Sequence, residues 1–497
     1  MKKISFILML VLIVTSCEKF YEEDLSTLIT AESGALTSEQ GLFAALSGAY
    51  KPMAQVWSRG FGNASTAAIL MGGDDLTTHK ASNKADFREF DQYLVTNTNQ
   101  RLPFVWNGAY KAIQGANNII ANYEKAVGNQ ATIKQIAGEA FFLRAYNYFW
   151  IVRLWGKAPL VLNSQNYSDE LLKVTVSSEA DIYAQIIKDL EQSFTLLADK
   201  KPQPGRAGKG TAKAVLAQVY LQMTGWPLKD AAKYALAAST AKDVIDNRVA
   251  YGFDLMPNYI DLWESPTVKA NGNKEEVFAI NFLGPGTGSS GNGWVGIAAT
   301  PSDRGGWDDY FAEITFFNNF PAGTRKDVTF DIGFTNSNGV YVPWTNYQVK
   351  RPYYKKLQGS KLDWNNAISM PMLRLAEIYM IYAEAQRMAT GNASDPEALE
   401  AFNKIKRRGA GKPISTPDVT VDATSLTQQQ IIDEKGWEFA GEFSRWFDLV
   451  RLELVQSVVS AKNPDELPND APITTKVYYL PLPFIETQGN PSLLGGN

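Results

Sequence analysis

The chain has 497 residues and a formal net charge of −4, and 45% of its residues are apolar. These values predict a globular protein with a substantial core, and they exclude a strongly basic nucleic-acid-binding surface. Because the chain has one histidine, His79, and one cysteine, Cys17, we expect no metal site and no cofactor. Ser-His or Cys-His catalysis is excluded unless His79 itself serves. Aromatic residues are abundant, with 12 Trp, 22 Tyr and 25 Phe.

The N-terminal sequence MKKISFILMLVLIVTSC has the pattern of a lipoprotein signal. Two lysines precede an apolar stretch, residues 4–14, which is too short to span a bilayer, and Cys17 follows a small-residue cleavage site. We expect residues 1–16 to be removed and Cys17 to be acylated, which would anchor the protein to a membrane. An ordinary signal peptide with a chance cysteine is the alternative. Residues 17–37 are then a lipidated tether.

Helical patterns begin at Ser38, a capping residue that precedes Leu42, Leu46 and Tyr50 at four-residue spacing. Further alanine-rich segments of helix length are bounded by Gly, Pro, Ser or Asn. These segments are residues 106–123, 132–154, 178–197, 210–223 and 230–247, and later 374–388, 396–407, 428–439 and 442–455. The pattern predicts an all-α protein.

Three of the predicted helices repeat an alanine and a tyrosine one turn apart. The pairs are Ala145 with Tyr148, Ala217 with Tyr220, and Ala376 with Tyr379. The first two pairs lie about two periods of the ~34-residue tetratricopeptide repeat apart. This spacing predicts a tetratricopeptide-like helical-repeat scaffold, in which we expect these residues to pack between helices rather than to bind a ligand.

Between residues 248 and 366 the helical periodicity fails and the chain becomes rich in glycine and aromatic residues. A compact domain seldom carries more than about 15 residues of loop without a function. We therefore predict that residues 38–247 and 367–497 form the helical scaffold and that residues 248–366 form a large, irregular, loop-rich insert that binds ligand. The strand-like run 276–282 predicts some local sheet in this insert.

Several long motifs resemble those of the SusD/RagB family. Residues 104–117 resemble its W-x3-Y-x2-I-x3-N helix, and residues 138–160 resemble a second helix that ends in R-L-W-G-x2-P. Residues 373–385 resemble its RLAE helix, and residues 434–451 resemble its WEFAGE-x2-RWFDL segment. Residues 480–497 resemble its C-terminal tail. The matches follow the family order along almost the entire mature chain. Two positions depart from the family pattern: Lys435-Gly436 stands where two arginines are usual, and Phe443 where glycine is usual.

The resemblance implies a lipid-anchored outer-membrane protein at the cell surface. Such a protein captures oligosaccharides and covers a SusC-like TonB-dependent transporter without catalysing a reaction. RagB-like members of the same family take up oligopeptides, and this is the alternative function. We expect the charged residues of the motifs to form buried ion pairs between helices. They are Arg144, Glu377, Glu384, Glu438, Arg445, Asp448 and Arg451.

A glycan site needs exposed aromatic platforms together with polar groups that bond sugar hydroxyls. Two segments supply both. The first contains Asp74, Asp75, His79 and Arg88, in a loop that resembles a ligand-contacting loop of the family. The second is the insert, with Trp294, Trp307, Asp308, Tyr310, Trp344 and Tyr347. A single aromatic residue of this kind is more often local core, but we expect the set to include the site.

Two other chemistries are compatible with the acidic residues. A secreted glycosidase would need an acid and a base, for which Asp74-Asp75 or Asp308-Asp309 are the candidates. Adjacent residues rarely converge on one bond, so this is the weaker hypothesis. Asp303 with Asp308 and Asp309 could hold calcium, but their spacing does not follow an EF-hand, and we favour solvated acids.

Overall fold

The computed structural model describes residues 34–54, 63–163, 173–263, 273–281, 297–358, 369–464 and 473–496. Cys17, most of the expected tether and Trp294 lie outside these residues. The α-helices are α1 (Glu39–Tyr50), α2 (Asn63–Ile69), α3 (Ala85–Asp91), α4 (Leu102–Asn122), α5 (Gln130–Trp155), α6 (Glu179–Leu196), α7 (Lys209–Met223), α8 (Lys233–Asp246), α9 (Arg248–Tyr251), α10 (Ile314–Asn319), α11 (Thr324–Thr329), α12 (Leu375–Thr390), α13 (Pro396–Gly409), α14 (Gln428–Glu438), α15 (Arg445–Arg451), α16 (Val455–Ala461) and α17 (Phe484–Gly489). The strands are β1 (Leu76–Thr77), β2 (Glu276–Ile280), β3 (Phe311–Ala312), β4 (Phe330–Asp331), β5 (Gly333–Thr335), β6 (Tyr341–Pro343), β7 (Tyr353–Tyr354) and β8 (Met370–Arg374).

The long helices form a consecutive array. Helix α4 packs against α5, α5 against α6, α6 against α7, and α7 against α8. The chain then leaves the array for the insert and returns with α12, which packs on α8 and is followed by α13. This order confirms the predicted all-α class and its helical-repeat scaffold, and it explains how two distant stretches of sequence build one scaffold.

Local sequence signals account for the helix bounds. The Ser38 hydroxyl accepts a hydrogen bond from the Gly41 N–H at 3.1 Å and caps α1. Helix α5 ends at Trp155, where Gly156 adopts the left-handed region with φ 68°. The repeated alanine–tyrosine pairs are buried as expected. Their exposed fractions are 0% for Ala145, Tyr148, Ala217 and Ala376, 7% for Tyr220 and 5% for Tyr379.

Buried ion pairs join the helices, as the motifs predict. Both carboxylate oxygens of Asp189 on α6 accept from the Arg144 guanidinium of α5, at 2.7 and 2.8 Å. Arg451 on α15 pairs with Glu384 on α12 at 2.7 Å. Glu377, in contrast, accepts a hydrogen bond from the neutral amide of Gln218 at 2.8 Å.

Glu438 is the centre of the largest buried network of charges in the described residues. Its carboxylate is 0% exposed and accepts from Arg374, Arg408 and Arg325. Burial by itself would raise the pKa of Glu438, but the surrounding cations lower this pKa to about 2. The network therefore stays charged at neutral pH and joins α13, α14 and the insert.

Short strands attach the insert to the scaffold. Strand β2 pairs antiparallel with β8, with Glu276 opposite Arg374, which confirms the predicted local sheet. Inside the insert, β4 pairs with β7 and β5 with β6. The sequence pattern did not predict α2, α3, α10 or α11, which are only six or seven residues long. No helix in the described ranges is long and apolar enough to cross a bilayer.

Candidate ligand-binding site

The two segments that the sequence predicts as the site meet in the fold. Strand β1 pairs antiparallel with β3 of the insert. Beside this ladder, the Thr78 hydroxyl donates to the backbone carbonyl of Asp309 at 2.7 Å. The buried Lys84 ammonium forms an ion pair with the Asp309 carboxylate. Residues 74–88 and the insert are thus joined, and we call this contact the junction.

Asp74 is bound to the scaffold. Its two carboxylate oxygens accept from Nε and Nη2 of Arg445 at 2.7 and 2.8 Å, which is the bidentate geometry of strong charge-assisted hydrogen bonds. Asp74 and Arg445 also line a cleft of about 220 Å³ with Trp437 and Asn319. Asp74 therefore fixes the position of its loop while it lines an open cleft.

Asp75 lies inside the junction and is only 2% exposed. Burial, with a smaller contribution from the Asp74 charge, raises the pKa of its carboxyl group to about 6. Its backbone carbonyl accepts from the Tyr354 hydroxyl at 2.6 Å and from the Glu313 N–H at 3.1 Å. The Asp75 carboxylate consequently has no access to the surface on which we expected it to contact ligand.

His79 and Arg88 are partly exposed at the edge of the junction. Nη1 of Arg88 donates to the carbonyl oxygens of His79 and Ala81 at 3.2 and 2.5 Å. Nδ1 of His79 accepts from the Ala81 N–H at 3.1 Å. These bonds fix the loop and one edge of the guanidinium group. A guanidinium carries five N–H donors, so Arg88 retains donors for a ligand.

Two of the predicted aromatic platforms are core residues. Tyr310 is 0% exposed, and its ring packs edge to face against Phe443 with ring centroids 5.9 Å apart. Tyr347 is 1% exposed, and its hydroxyl donates to Asp331 at 3.0 Å. Neither ring has a face open to a ligand, because the insert needs its own hydrophobic cluster.

Two other predicted platforms, Trp307 and Trp344, are partly exposed. Trp344 packs edge to face on Phe317 with centroids 5.9 Å apart. The loop that carries Trp307 is tied to the turn that follows Trp344, because the Gln348 N–H donates to Asp303 at 3.0 Å and the Ser302 hydroxyl donates to the Gln348 side chain at 3.1 Å. Trp307 and Trp344 therefore belong to connected loops.

The acidic pair of the insert is engaged by protein groups. Oδ1 of Asp308 accepts from the Ser302 N–H at 2.8 Å and from the Tyr353 hydroxyl at 2.6 Å. Asp309 is paired with Lys84, and burial raises its pKa although Lys84 opposes this shift. Within the described residues, no three His, Cys, Asp or Glu side chains group as metal ligands would.

Sequence reasoning missed four residues of this region. Thr78 and Lys84 form the junction through Asp309, and Trp437 and Asn319 line the cleft of Asp74. Lys84 and Asp309 are far apart in the chain, so only an alignment showing co-variation could have indicated their pairing. Trp437 lies in the motif of residues 434–451, which predicts a scaffold helix and gives no local signal of a ligand contact.

Two family models match the chain. The SusD-like_3 model, described as starch-binding associating with outer membrane, matches residues 46–221, and the SusD family model matches residues 265–495. The chain belongs to the SusD/RagB family.

Individual relatives agree with this assignment. SusD-like protein P2 of Formosa agariphila is 27% identical over 522 residues, which cover 100% of this chain and 99% of the relative. A laminarin-binding SusD-like protein of known structure has a TM-score of 0.75 at 23% identity, over 91% of this chain and 98% of that one. A crystal structure with a xylogluco-oligosaccharide has a TM-score of 0.71 at 24% identity, over 90% and 97%. At these identities the two structures establish a common fold.

The two departures of this SusD/RagB chain from the family motif lie in the interior. Nζ of Lys435 pairs with Asp448 at 2.6 Å, so the cation is kept although arginine is not. Phe443 adopts φ 64°, a conformation in which the glycine usual at this position has no steric cost. Both side chains are 4% exposed, so neither contributes to the protein surface.

Proposed function

We propose that this protein captures oligosaccharides at the cell surface and delivers them, without breaking a bond, to a SusC-like TonB-dependent outer-membrane transporter. The observation that supports the proposal is the junction, because its Thr78–Asp309 hydrogen bond joins the residue before His79 to the loop that carries the partly exposed Trp307. Membership of a family whose model is described as starch-binding supports it. So do relatives of the same fold that are described with laminarin or a xylogluco-oligosaccharide.

The chemistry of these side chains suits a sugar. A pyranose ring has an apolar face that stacks on an indole, and its edges carry hydroxyl groups that need donors and acceptors. Trp307 and Trp344 supply indole surface, and Arg88 and His79 supply polar groups. A rigid helical scaffold beneath such loops limits the entropy lost on binding.

The acids support binding rather than hydrolysis. Asp74 is paired with Arg445, Asp309 with Lys84, and Asp308 accepts two hydrogen bonds from protein groups. A glycosidase needs two carboxyl groups that face one substrate bond across about 5 to 9.5 Å. These carboxyl groups are held in structural contacts instead.

The lipid anchor remains part of the proposal. Cys17 lies outside the described residues, and its acylation is inferred from the signal pattern alone. A tether of residues 17–37 that begins with an acylated Cys17 would hold the domain close to the membrane that contains the transporter.

The test is binding of the purified protein to glycan and peptide arrays, followed by calorimetry with the best ligand. Trp307→Ala should weaken binding by roughly thirtyfold, since the loss of a stacked aromatic at a hot spot costs about 2 kcal/mol. Phe43→Ala is the matched control, because Phe43 is an exposed aromatic (46%) on scaffold helix α1. Retention of peptides alone would replace glycan capture by oligopeptide capture. New reducing ends would indicate an enzyme.

A further inference from the structure

A second aromatic cleft lies between the C-terminal segment and the loop before β1. Its volume is about 370 Å³, within the range of small-ligand sites. It shares no lining residue with the candidate ligand surface at the junction. Four aromatic side chains and two lysines carry the argument. They are Tyr93, Trp155, Trp446, Tyr479, Lys157 and Lys476.

Two buried indoles form the floor of this cleft. Trp155 and Trp446 are 4% and 5% exposed. The Trp155 indole N–H donates to the Pro481 carbonyl at 3.1 Å. A Cβ on Gly72 would lie 2.7 Å from the Trp446 ring, so the glycine lets the backbone contact the indole directly. Backbone contacts therefore hold both indoles of the floor in position.

Two partly exposed tyrosines form the accessible aromatic surface. Tyr93 lies 6.3 Å from Trp446 between ring centroids, with a 32° angle between the planes, and its hydroxyl donates to the Gly72 carbonyl at 2.6 Å. Its φ of 57° is unusual for an aromatic residue and costs backbone energy, a feature that clusters at ligand sites. The ring of Tyr479 packs against Trp226, with the ring centroids 4.6 Å apart. Both rings are thus fixed in place before any ligand arrives.

Two lysines line the cleft. Lys157 and Lys476 are exposed, and they are the charged residues among the described lining, which contains no Asp or Glu. Next to the cleft, the Tyr479 hydroxyl donates to a carboxylate oxygen of Glu179 at 3.4 Å. Two ammonium groups beside stacking surfaces complement a ring that carries an anionic group.

We propose that this cleft is a second saccharide site, and that it binds an acidic sugar residue, either a uronate or a sulfated pyranose. The sugar ring stacks on Tyr93 and Tyr479, and its acidic group contacts Lys157 and Lys476. The inference rests on the proposed function, because it takes the ligand to be an oligosaccharide. The cleft proposal goes beyond the proposed function because it specifies that the saccharide is anionic, whereas the residues of the junction do not specify the charge of the ligand.

The experiment measures binding to the full-length protein in detergent, by calorimetry and by tryptophan fluorescence. The probes are trisaccharides of galacturonate, mannuronate and guluronate, a sulfated galactose trisaccharide, neutral galactotriose, and inorganic sulfate. The variants are Lys476→Gln and the double variant Lys157→Gln/Lys476→Gln. Lys134→Gln is the matched control, because Lys134 is exposed on the same helix as Trp155 and about 30 Å away at 1.5 Å per residue.

We expect at least one acidic trisaccharide to bind. Its affinity should fall about fivefold in Lys476→Gln and further in the double variant, since each partly exposed charge pair is worth up to about 1 kcal/mol. The affinity should also fall with added NaCl and stay unchanged in Lys134→Gln. Binding of neutral galactotriose should not respond to the lysine variants. Preference for the uronates or for the sulfated sugar identifies the anionic group.

Three results would overturn the proposal. In the first, no acidic probe binds to the wild type. In the second, the acidic probe binds with equal affinity to the wild type and to the double variant. In the third, inorganic sulfate binds as tightly as the sulfated sugar. The proposed function is tested separately. If oligosaccharides bind and respond to Trp307→Ala but not to the lysine variants, only the cleft proposal fails. If no oligosaccharide binds, both fail.

Discussion

Neighbouring acids in this protein have different environments, and the difference determines how each responds to pH. Asp74 is paired with Arg445, whereas Asp75 is buried, with its Oδ2 atom lacking a hydrogen-bond partner among the described residues. Burial favours the protonated form of Asp75, so its folded-state pKa is about 6 against an ordinary value of 3.8. Ionised Asp75 therefore works against folding at neutral pH.

We expect Asp75→Asn to be more stable than the wild type at pH 7, by up to about 3 kcal/mol, since a shift of about two pKa units has that size. The folded wild type binds more protons than the unfolded chain between about pH 4 and pH 6. The contribution of protonated Asp75 to the stability of the folded protein is therefore fully present below pH 4 and is lost as the pH rises through 6. Urea unfolding at pH 4.5 and pH 7 measures the difference.

The control for this prediction is Asp74→Asn. It should be less stable than the wild type at both pH values, because it leaves buried Arg445 without its partner. Equal pH dependence of the wild type and Asp75→Asn would mean that Asp75 does not titrate in this range.

A strained residue at the turn between α14 and α15 gives a second prediction. Phe443 has φ 64°, yet its ring is 4% exposed and packs against Tyr310. Phe443→Gly and Phe443→Ala both lose the buried ring, which costs about 3 to 5 kcal/mol. Glycine adopts positive φ without penalty, so Phe443→Gly should be more stable than Phe443→Ala by about 1 kcal/mol. Thermal unfolding compares the stability of the two variants. If Phe443→Ala is more stable than Phe443→Gly, the backbone at this position is not strained.

At the scale of elements, helices of the array are joined by buried charge pairs rather than by apolar contact alone. Arg144 and Asp189 connect α5 with α6, with exposed side-chain fractions of 6% and 1%. Burial raises the pKa of Asp189, an effect that Arg144 opposes only in part. The desolvation of the two charges thus offsets much of their attraction. Replacing both residues therefore destabilises the protein less than replacing only one of them.

We expect Arg144→Met and Asp189→Leu to destabilise the protein by about 3 to 5 kcal/mol each, because each leaves one buried charge alone. The double variant should lose less than the sum of the two single losses, and less than either single variant. Guanidinium unfolding of the four proteins completes the cycle. Additive losses would show that the two residues act independently.

At the scale of the whole molecule, the proposed function requires an anchor and a large partner. Purification of the native protein from detergent-solubilised outer membrane should also recover a large barrel protein, since the helical array offers a broad face for it. The Cys17→Ala variant should lack acyl chains and should not remain attached to the membrane. Labelling with a palmitate analogue checks the anchor. Label in the variant, or recovery of the protein without a barrel, would contradict these expectations.

The amino-acid sequence by itself determined the helical scaffold. Residues 396–407 were predicted as a helix, and α13 spans Pro396–Gly409. Residues 210–223 correspond to α7, Lys209–Met223. Helix periodicity, capping residues and breakers act within a few residues of each other, so they can be read from one chain. The strand run at 276 was found for the same reason.

Only the tertiary structure decided which aromatic and acidic residues face solvent. Tyr347 and Trp344 are three residues apart in one loop, yet one is buried and the other partly exposed. Asp74 and Asp75 likewise differ because of Arg445 and Tyr354, which are distant in sequence. The cleft of Tyr93, Trp155, Trp446 and Tyr479 had no local pattern at all. Burial and pairing depend on contacts between residues hundreds of positions apart, and a single sequence records no distance between them.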